Sequence, residues 1–127
     1  MKPQRHRFRS DYELSVAKFL AENGVNFEYE KHKISYTPKV RSYTPDFYLP
    51  EQDIYIEAKG FFSPADRTKM LLVISQNPTY DIRMLFLRAN NKLNRSSKTT
   101  YSKWCERHDI LWANNQIPPE WLGEKKW

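Results

Sequence analysis

The sequence predicts an α/β fold, with a mixed central β-sheet flanked by helices. Three observations predict it. The 127 residues suffice for one hydrophobic core and are too few for two ordinary domains. Apolar residues follow the helical period in some windows and the strand period in others, in the order helix, three strands, helix, strand, helix, strand. No repeat, low-complexity run or long linker interrupts that order. Residues 1–127 therefore read as a single domain, with 1–9 as a basic N-terminal arm and 123–127 as a short tail.

Ser10 caps a helix expected over Asp11 to Glu22, because Tyr12, Val16, Phe19 and Leu20 recur at helical spacing and Asn23-Gly24 ends the run. Glu13 lies beside that stripe, in the first turn. "VNFEYEKHKISY" alternates enough to predict one strand from about Asn26 to Tyr36, followed by a polar connector, "TPKVRS". Thr44 to Leu49 and Ile54 to Lys59 read as two antiparallel strands joined by Pro50 to Asp53. That register sets Leu49 opposite Ile54, Phe47 opposite Ile56 and Asp46 opposite Glu57. Alternation then places Tyr55, Glu57 and Lys59 on one face and Ile54, Ile56 and Ala58 on the other. "SPAD" starts a helix with Ser63 as cap, Pro64 in the first turn and Asp66 in the capping-box position, running to about Gln76. "DIRMLFLR" reads as a buried strand, "TTYSKWCERH" as a shorter helix begun by Thr99 or Thr100, and "ILWA" as a last strand before a small terminal helix.

Composition narrows the partners. Lys and Arg outnumber Asp and Glu by 21 to 15, a net charge of +6, which favours a polyanion. The charge is clustered. Lys2, Arg5, Arg7 and Arg9 fill the first ten residues without an acid, and Arg83, Arg88, Lys92, Arg95, Lys98 and Lys103 occupy 82–104, again without one. In "RANNKLNRSSKTTYSK" the cations are mixed with Asn, Ser, Thr and Tyr, types that donate to phosphate and sugar oxygens. Arg5, Arg7, Arg9, Lys69, Arg88, Lys92, Arg95 and Lys98 are the candidate phosphate contacts; the plain alternative is a solvated basic loop. The single cysteine, Cys105, cannot form an internal disulfide, which fits a reducing, cytoplasmic setting. No apolar run nears the roughly 20 residues of a membrane span, and "MKPQRHRFRS" lacks a secretory core.

The chemistry concentrates on the strand pair. Two carboxylates facing each other repel unless a cation lies between them. Carboxylate oxygens suit Mg²⁺ or Mn²⁺, whereas His6, His32 and His108 are too scattered, and one cysteine too few, for zinc. Lys59 lies on the same face as Glu57, within reach of a scissile phosphate. Such a set matches metal-assisted phosphodiester hydrolysis, though two acids and a lysine on a hairpin are commonly just solvated.

"PDFYLPEQDIYIEAKG" resembles the PD-(D/E)xK nuclease signature, with Pro45-Asp46 followed by Glu57-Ala58-Lys59. The likeness extends over nearly the whole chain. "FRSDYELSVAKFLAENGVNFEYE", "YTPDFYLP", "IEAKGFF", "DRTKMLL", "YDIRMLFLR", "TTYSKWCERHDI" and "IPPEW" stand in the same order as in the bacteriophage endonuclease I family of Holliday-junction resolvases. The resemblance implies a PD-(D/E)xK (restriction-endonuclease-like) fold and structure-selective cleavage of branched or double-stranded DNA by a homodimer with exchanged segments. It also implies two Mg²⁺ or Mn²⁺ ions per site and no organic cofactor. Position by position, Asp46 and Glu57 become metal ligands, Ala58 adds its carbonyl, Lys59 assists the nucleophile, and Glu13 completes the acidic site, in the same chain or from the partner.

Two other readings stand beside this one: a DNA nuclease without junction selectivity, and a DNA-binding module whose carboxylates hold no metal. Tyr43, Phe47 and Tyr55 read as packing residues rather than base platforms, and Trp104, Trp112 and Trp121 as core or interface anchors. Cys105 reads as a small buried hydrophobe. His32 and His108 are weaker candidates for phosphate contact than for surface or core roles.

Overall fold

A computed structural model describes residues 8–36 and 41–123. Helix α1 (Asp11–Glu22) forms over the expected stripe. Ser10 Oγ accepts the Glu13 N–H at 3.0 Å, satisfying an amide that has no partner within the helix. Beyond Asn23, Gly24 takes a left-handed φ of +67°, which a residue without Cβ adopts freely. The buried face is Leu14, Val16, Ala17 and Leu20, while Tyr12 and Phe19 pack only partly.

The single strand expected from Asn26 to Tyr36 is in fact two, β1 (Glu28–Tyr29) and β2 (Ile34–Tyr36), in different sheets. The break comes at Glu30, whose φ of +49° turns the chain out of the first sheet. Part of the supposed polar connector is also a strand: β3 (Arg41–Tyr43) pairs antiparallel with β2, Ile34 opposite Tyr43. Its composition hid it, because a two-stranded ribbon has only one half-covered face to mark with apolar residues.

Strands β4 (Phe47–Leu49) and β5 (Ile54–Lys59) pair in the expected register, Leu49 opposite Ile54 and Phe47 opposite Ile56. However, β4 begins at Phe47 rather than Thr44, so Asp46 is not a strand partner of Glu57. Its carbonyl oxygen accepts the Glu30 N–H at 3.0 Å and its carboxylate Oδ2 accepts the Ala58 N–H at 2.9 Å. Helix α2 (Pro64–Gln76) opens with the full capping box of Ser63 and Asp66. Then follow β6 (Ile82–Phe86), α3 (Tyr101–Arg107) capped by Thr100, β7 (Trp112–Asn114) and a 3₁₀ turn over Pro119–Leu122.

The main sheet has the order β1-β4-β5-β6-β7, antiparallel through β1-β4-β5 and parallel through β5-β6-β7. It is the mixed sheet flanked by helices that the element order predicts. One core lies between the sheet and α1, where Val16, Ala17 and Leu20 meet Phe47, Ile54, Ile56, Ala58 and Trp121. The other lies under α2 and α3, where Phe62, Met70 and Val73 meet Met84, Phe86, Tyr101 and Trp104. Strand β5 divides between them as its alternation requires, with Tyr55 packed on the second core. Cys105 is fully buried and burial pushes its thiol up to about 12, so it is an inert hydrophobe rather than a nucleophile. Among the described residues no helix is long and apolar enough to cross a membrane.

Candidate active site

Charged side chains converge where β4 begins and β5 ends. Glu13 comes from α1, Glu30 from the turn after β1, and Asp46 from the residue before β4. One carboxylate oxygen from each lies within 4.8 Å of the others. Three devices hold this trio. The Tyr29 hydroxyl and the Arg9 N–H both donate to Glu13 Oε1. Arg9 Nε pairs with Glu30 Oε2 at 3.0 Å. The bond from the Glu30 N–H to the Asp46 carbonyl ties the turn to the strand, and it holds Glu30 in a left-handed conformation that is unfavourable for a side chain of its size.

Beside the trio stand Glu57 and Lys59 of β5. Glu57 is only 4% exposed, a burial that a carboxylate tolerates only with partners. Its Oε1 accepts the Tyr43 hydroxyl at 2.6 Å and its Oε2 lies 3.6 Å from Lys59 Nζ. Lys59 Nζ also reaches Asp66 Oδ1 at 3.4 Å, while Asp66 Oδ2 accepts the Ser63 N–H that it caps. The lysine is thereby suspended between a strand carboxylate and a helix cap.

Burial sets the electrostatics. It pushes the Asp46 carboxyl up to about 9, aided by the charges of Glu57 and Glu13 and opposed by the Ala58 amide and Lys59. Burial also raises Glu57, against the hydrogen bond from Tyr43 and the charges of Lys59 and Lys69. For Lys59 burial acts downward, but Glu57, Asp66 and Asp46 outweigh it and its ammonium is held above the ordinary range. Crowded, desolvated carboxylates of this kind are stabilised by a cation brought among them.

A family model described as phage endonuclease I matches residues 2–127. The chain belongs to the phage endonuclease I family. It is similar to "Endonuclease I" of Escherichia phage T7, 43% identical over 121 residues that cover 94% of this chain and 80% of that protein. It is likewise similar to "Endodeoxyribonuclease 1" of Enterobacteria phage T3, 42% identical over 125 residues covering 97% and 82%.

In this endonuclease I chain the four residues singled out as catalytic, Glu13, Asp46, Glu57 and Lys59, all lie in one locality, and the Ala58 N–H donates to Asp46. Nothing in the sequence marks Glu30, because "FEYE" has the pattern of an uninterrupted strand, where an acid is just a solvent-facing residue. Tyr43 packs at 2% exposure, as expected of its ring, and its hydroxyl also donates to Glu57. Tyr43→Phe is expected to leave Glu57 Oε1 buried without that donor, costing about 1–3 kcal/mol. Comparing its unfolding midpoint with that of the parent protein checks this; an unchanged midpoint would show that the bond contributes nothing net.

The cationic candidates divide. Arg9 sits at the acidic trio, and Lys69 lies 5.6 Å from the centre of the Tyr43 ring, close enough for its charge to act on Glu57. Arg88, Lys92, Arg95 and Lys98 are exposed along the loop after β6. Arg5 and Arg7 lie outside the described residues. His32 is bonded to Glu28 and packed on Tyr48 and Tyr55, and His108 packs on Trp104.

Proposed function

We propose that this chain is a divalent-cation-dependent endodeoxyribonuclease that hydrolyses phosphodiester bonds in branched DNA and resolves four-way junctions. The observation that carries this reading is the meeting of Glu13, Glu30 and Asp46 within 4.8 Å, beside a buried Glu57 joined to Lys59. The names of the T7 and T3 relatives, an endonuclease and an endodeoxyribonuclease, support endonuclease activity on DNA. A PD-(D/E)xK fold is supported by the placement of Asp46 just before one strand and of Glu57-Ala58-Lys59 on its antiparallel neighbour.

The donor set fits Mg²⁺ or Mn²⁺. Every candidate ligand in the trio and its neighbour Glu57 is a carboxylate oxygen, with no thiolate or imidazole among them. Asp46, Glu57 and Glu13 would hold the ion or ion pair, Ala58 adding its carbonyl as the family resemblance implies, and Glu30 stands near enough to join them. A bound divalent cation supplies a Lewis acid that makes a water more acidic and draws charge from the phosphate. The protein's own groups do the rest. The Tyr43 hydroxyl fixes the Glu57 carboxylate, and Lys59, held by Glu57 and Asp66, donates to a phosphate oxygen as negative charge grows there. Exposed Arg88, Lys92, Arg95 and Lys98 set the register of the DNA backbone.

A four-way junction has two strands to cut symmetrically, which supports a homodimer. Glu13 meets Asp46 within one chain, and exchange of segments in a dimer would preserve the same contacts between protomers. The test is to incubate the protein with an immobile four-way junction and a matched linear duplex, with Mg²⁺ or EDTA. Metal-dependent paired nicks near the branch, with little duplex cutting, are expected. Equal cutting of both DNAs would reduce the reading to a general nuclease, and tight binding without cutting to a DNA-binding module.

A further inference from the structure

Phe61 is the most exposed large apolar side chain among the described residues, at 69%. Isolated exposed apolar residues are ordinary. The surroundings of this one are not. It follows Lys59 by two residues, and the backbone on both sides of it is anchored. The Lys59 carbonyl accepts the Leu87 N–H at 3.0 Å, the Phe62 N–H donates to the Tyr101 hydroxyl at 3.2 Å, and Phe62 itself is fully buried. The backbone that carries the ring is thus fixed beside the candidate active site, and the ring itself is exposed.

It faces an open groove of about 530 Å³ whose other wall includes Asn90, Asn91, Lys92, Arg95 and Tyr101. That wall is ordered. Leu93 and Tyr101 donate backbone N–H groups to the Thr99 and Asn91 carbonyls, and Ser102 donates to that of Ala89, folding the loop into a tied hairpin. No acid occurs anywhere from 82 to 104. Both walls spring from the carboxyl ends of parallel strands, since Lys59 at the end of β5 is registered with Phe86 at the end of β6. In open α/β sheets that edge is where ligands lie. A ring face, three carboxamides and two cations in one groove match the three parts of a nucleotide: a base face to stack, a base edge to hydrogen-bond and a phosphate to pair.

We propose that Phe61 is a stacking platform for a base face left unstacked at the branch point of the strand being cut, with Asn90 and Asn91 facing the base edge and Lys92 and Arg95 the phosphates. This rests on the nuclease reading of the neighbouring site and deepens it. A paired duplex keeps its bases stacked, whereas a branch point exposes them, so the platform favours branched DNA.

The test measures dissociation constants in EDTA, where no cutting occurs, for a four-way junction and a linear duplex of equal length. It uses the parent protein, Phe61→Ala, Phe61→Leu and Phe61→Trp. An exposed side chain can be replaced without threatening the fold. The expected result is that Phe61→Ala and Phe61→Leu weaken junction binding about tenfold, the scale of one base–aromatic stack, and weaken duplex binding much less, while Phe61→Trp binds nearly as the parent does. Parent-like junction binding by Phe61→Ala overturns the platform, and so does an equal loss on both DNAs. Retained binding by Phe61→Leu also overturns it, since apolar contact would then suffice without a ring face. A parent protein that binds neither DNA overturns the nuclease reading itself, and the platform with it.

Discussion

Asp46→Asn is expected to lower cleavage by about 1000-fold or more while making the cation-free protein more stable. The two effects have one origin. Asp46 is 6% exposed and is crowded by Glu57 and Glu13. Burial first, then those charges, push its carboxyl far above the ordinary range, to about 9. In the pH window between the ordinary value near 4 and that raised value the folded protein binds a proton that the unfolded chain has released, so stability falls as pH rises. An asparagine has no such proton to lose, and its Oδ1 still accepts the Ala58 N–H. The variant should therefore match the parent near pH 4 in EDTA and exceed it at pH 8 by up to about 5 kcal/mol, a gain of about 10–20 °C in Tm. Thermal unfolding of both proteins across that range, paired with a cleavage assay, checks the prediction. Equal midpoints at pH 8 would mean that Asp46 carries no electrostatic load, and undiminished cleavage would remove it from the site.

The same crowding explains what the sequence could and could not disclose. Elements governed by local chemistry were legible: Ser10 and Ser63 cap their helices through side-chain bonds to residues three ahead, and the expected β4–β5 register is the observed one because apolar Phe47, Leu49, Ile54 and Ile56 can occupy the core face in only one alignment. The site was partly legible for the same reason, since alternation along β5 put Glu57 and Lys59 on one face. Glu30 was not. Its place in the acidic trio depends on a left-handed turn in the middle of an apparently continuous strand, and on the hydrogen bond from its N–H to the carbonyl of Asp46, sixteen residues away, that no local pattern announces. Tyr43 was illegible in part: burial was expected for an aromatic residue, but its acceptor lies across the fold on β5. Local rules place side chains on faces; only the fold brings α1, the β1–β2 turn and β4 to one point.

Phe62→Ala is the converse case, with a large expected loss of stability and little change in chemistry. Phe62 is fully buried, with ring centres of Phe86, Tyr101 and Trp104 at 5.2, 5.7 and 5.1 Å. Truncation removes most of a ring from the junction of β6 and α3 and leaves a cavity bounded by rigid aromatics that close poorly. A cost of about 3–5 kcal/mol follows, or a fall in Tm of about 10–20 °C. Phe62→Leu, which keeps more of the volume, should cost distinctly less. Lys59, three residues earlier, is positioned by the β5–β6 ladder and by its contacts with Glu57 and Asp66, none of which passes through the Phe62 ring. Cleavage at saturating DNA and 20 °C should therefore stay within about threefold of the parent, well inside the tenfold that 1.4 kcal/mol of barrier would produce. Measuring unfolding and single-turnover cleavage on the same preparation separates the two quantities. A destabilised protein that still cuts places Phe62 in the scaffold. A folded protein that has lost cutting would mean that the aromatic cluster, and not the Glu57–Lys59–Asp66 chain, sets the position of the lysine.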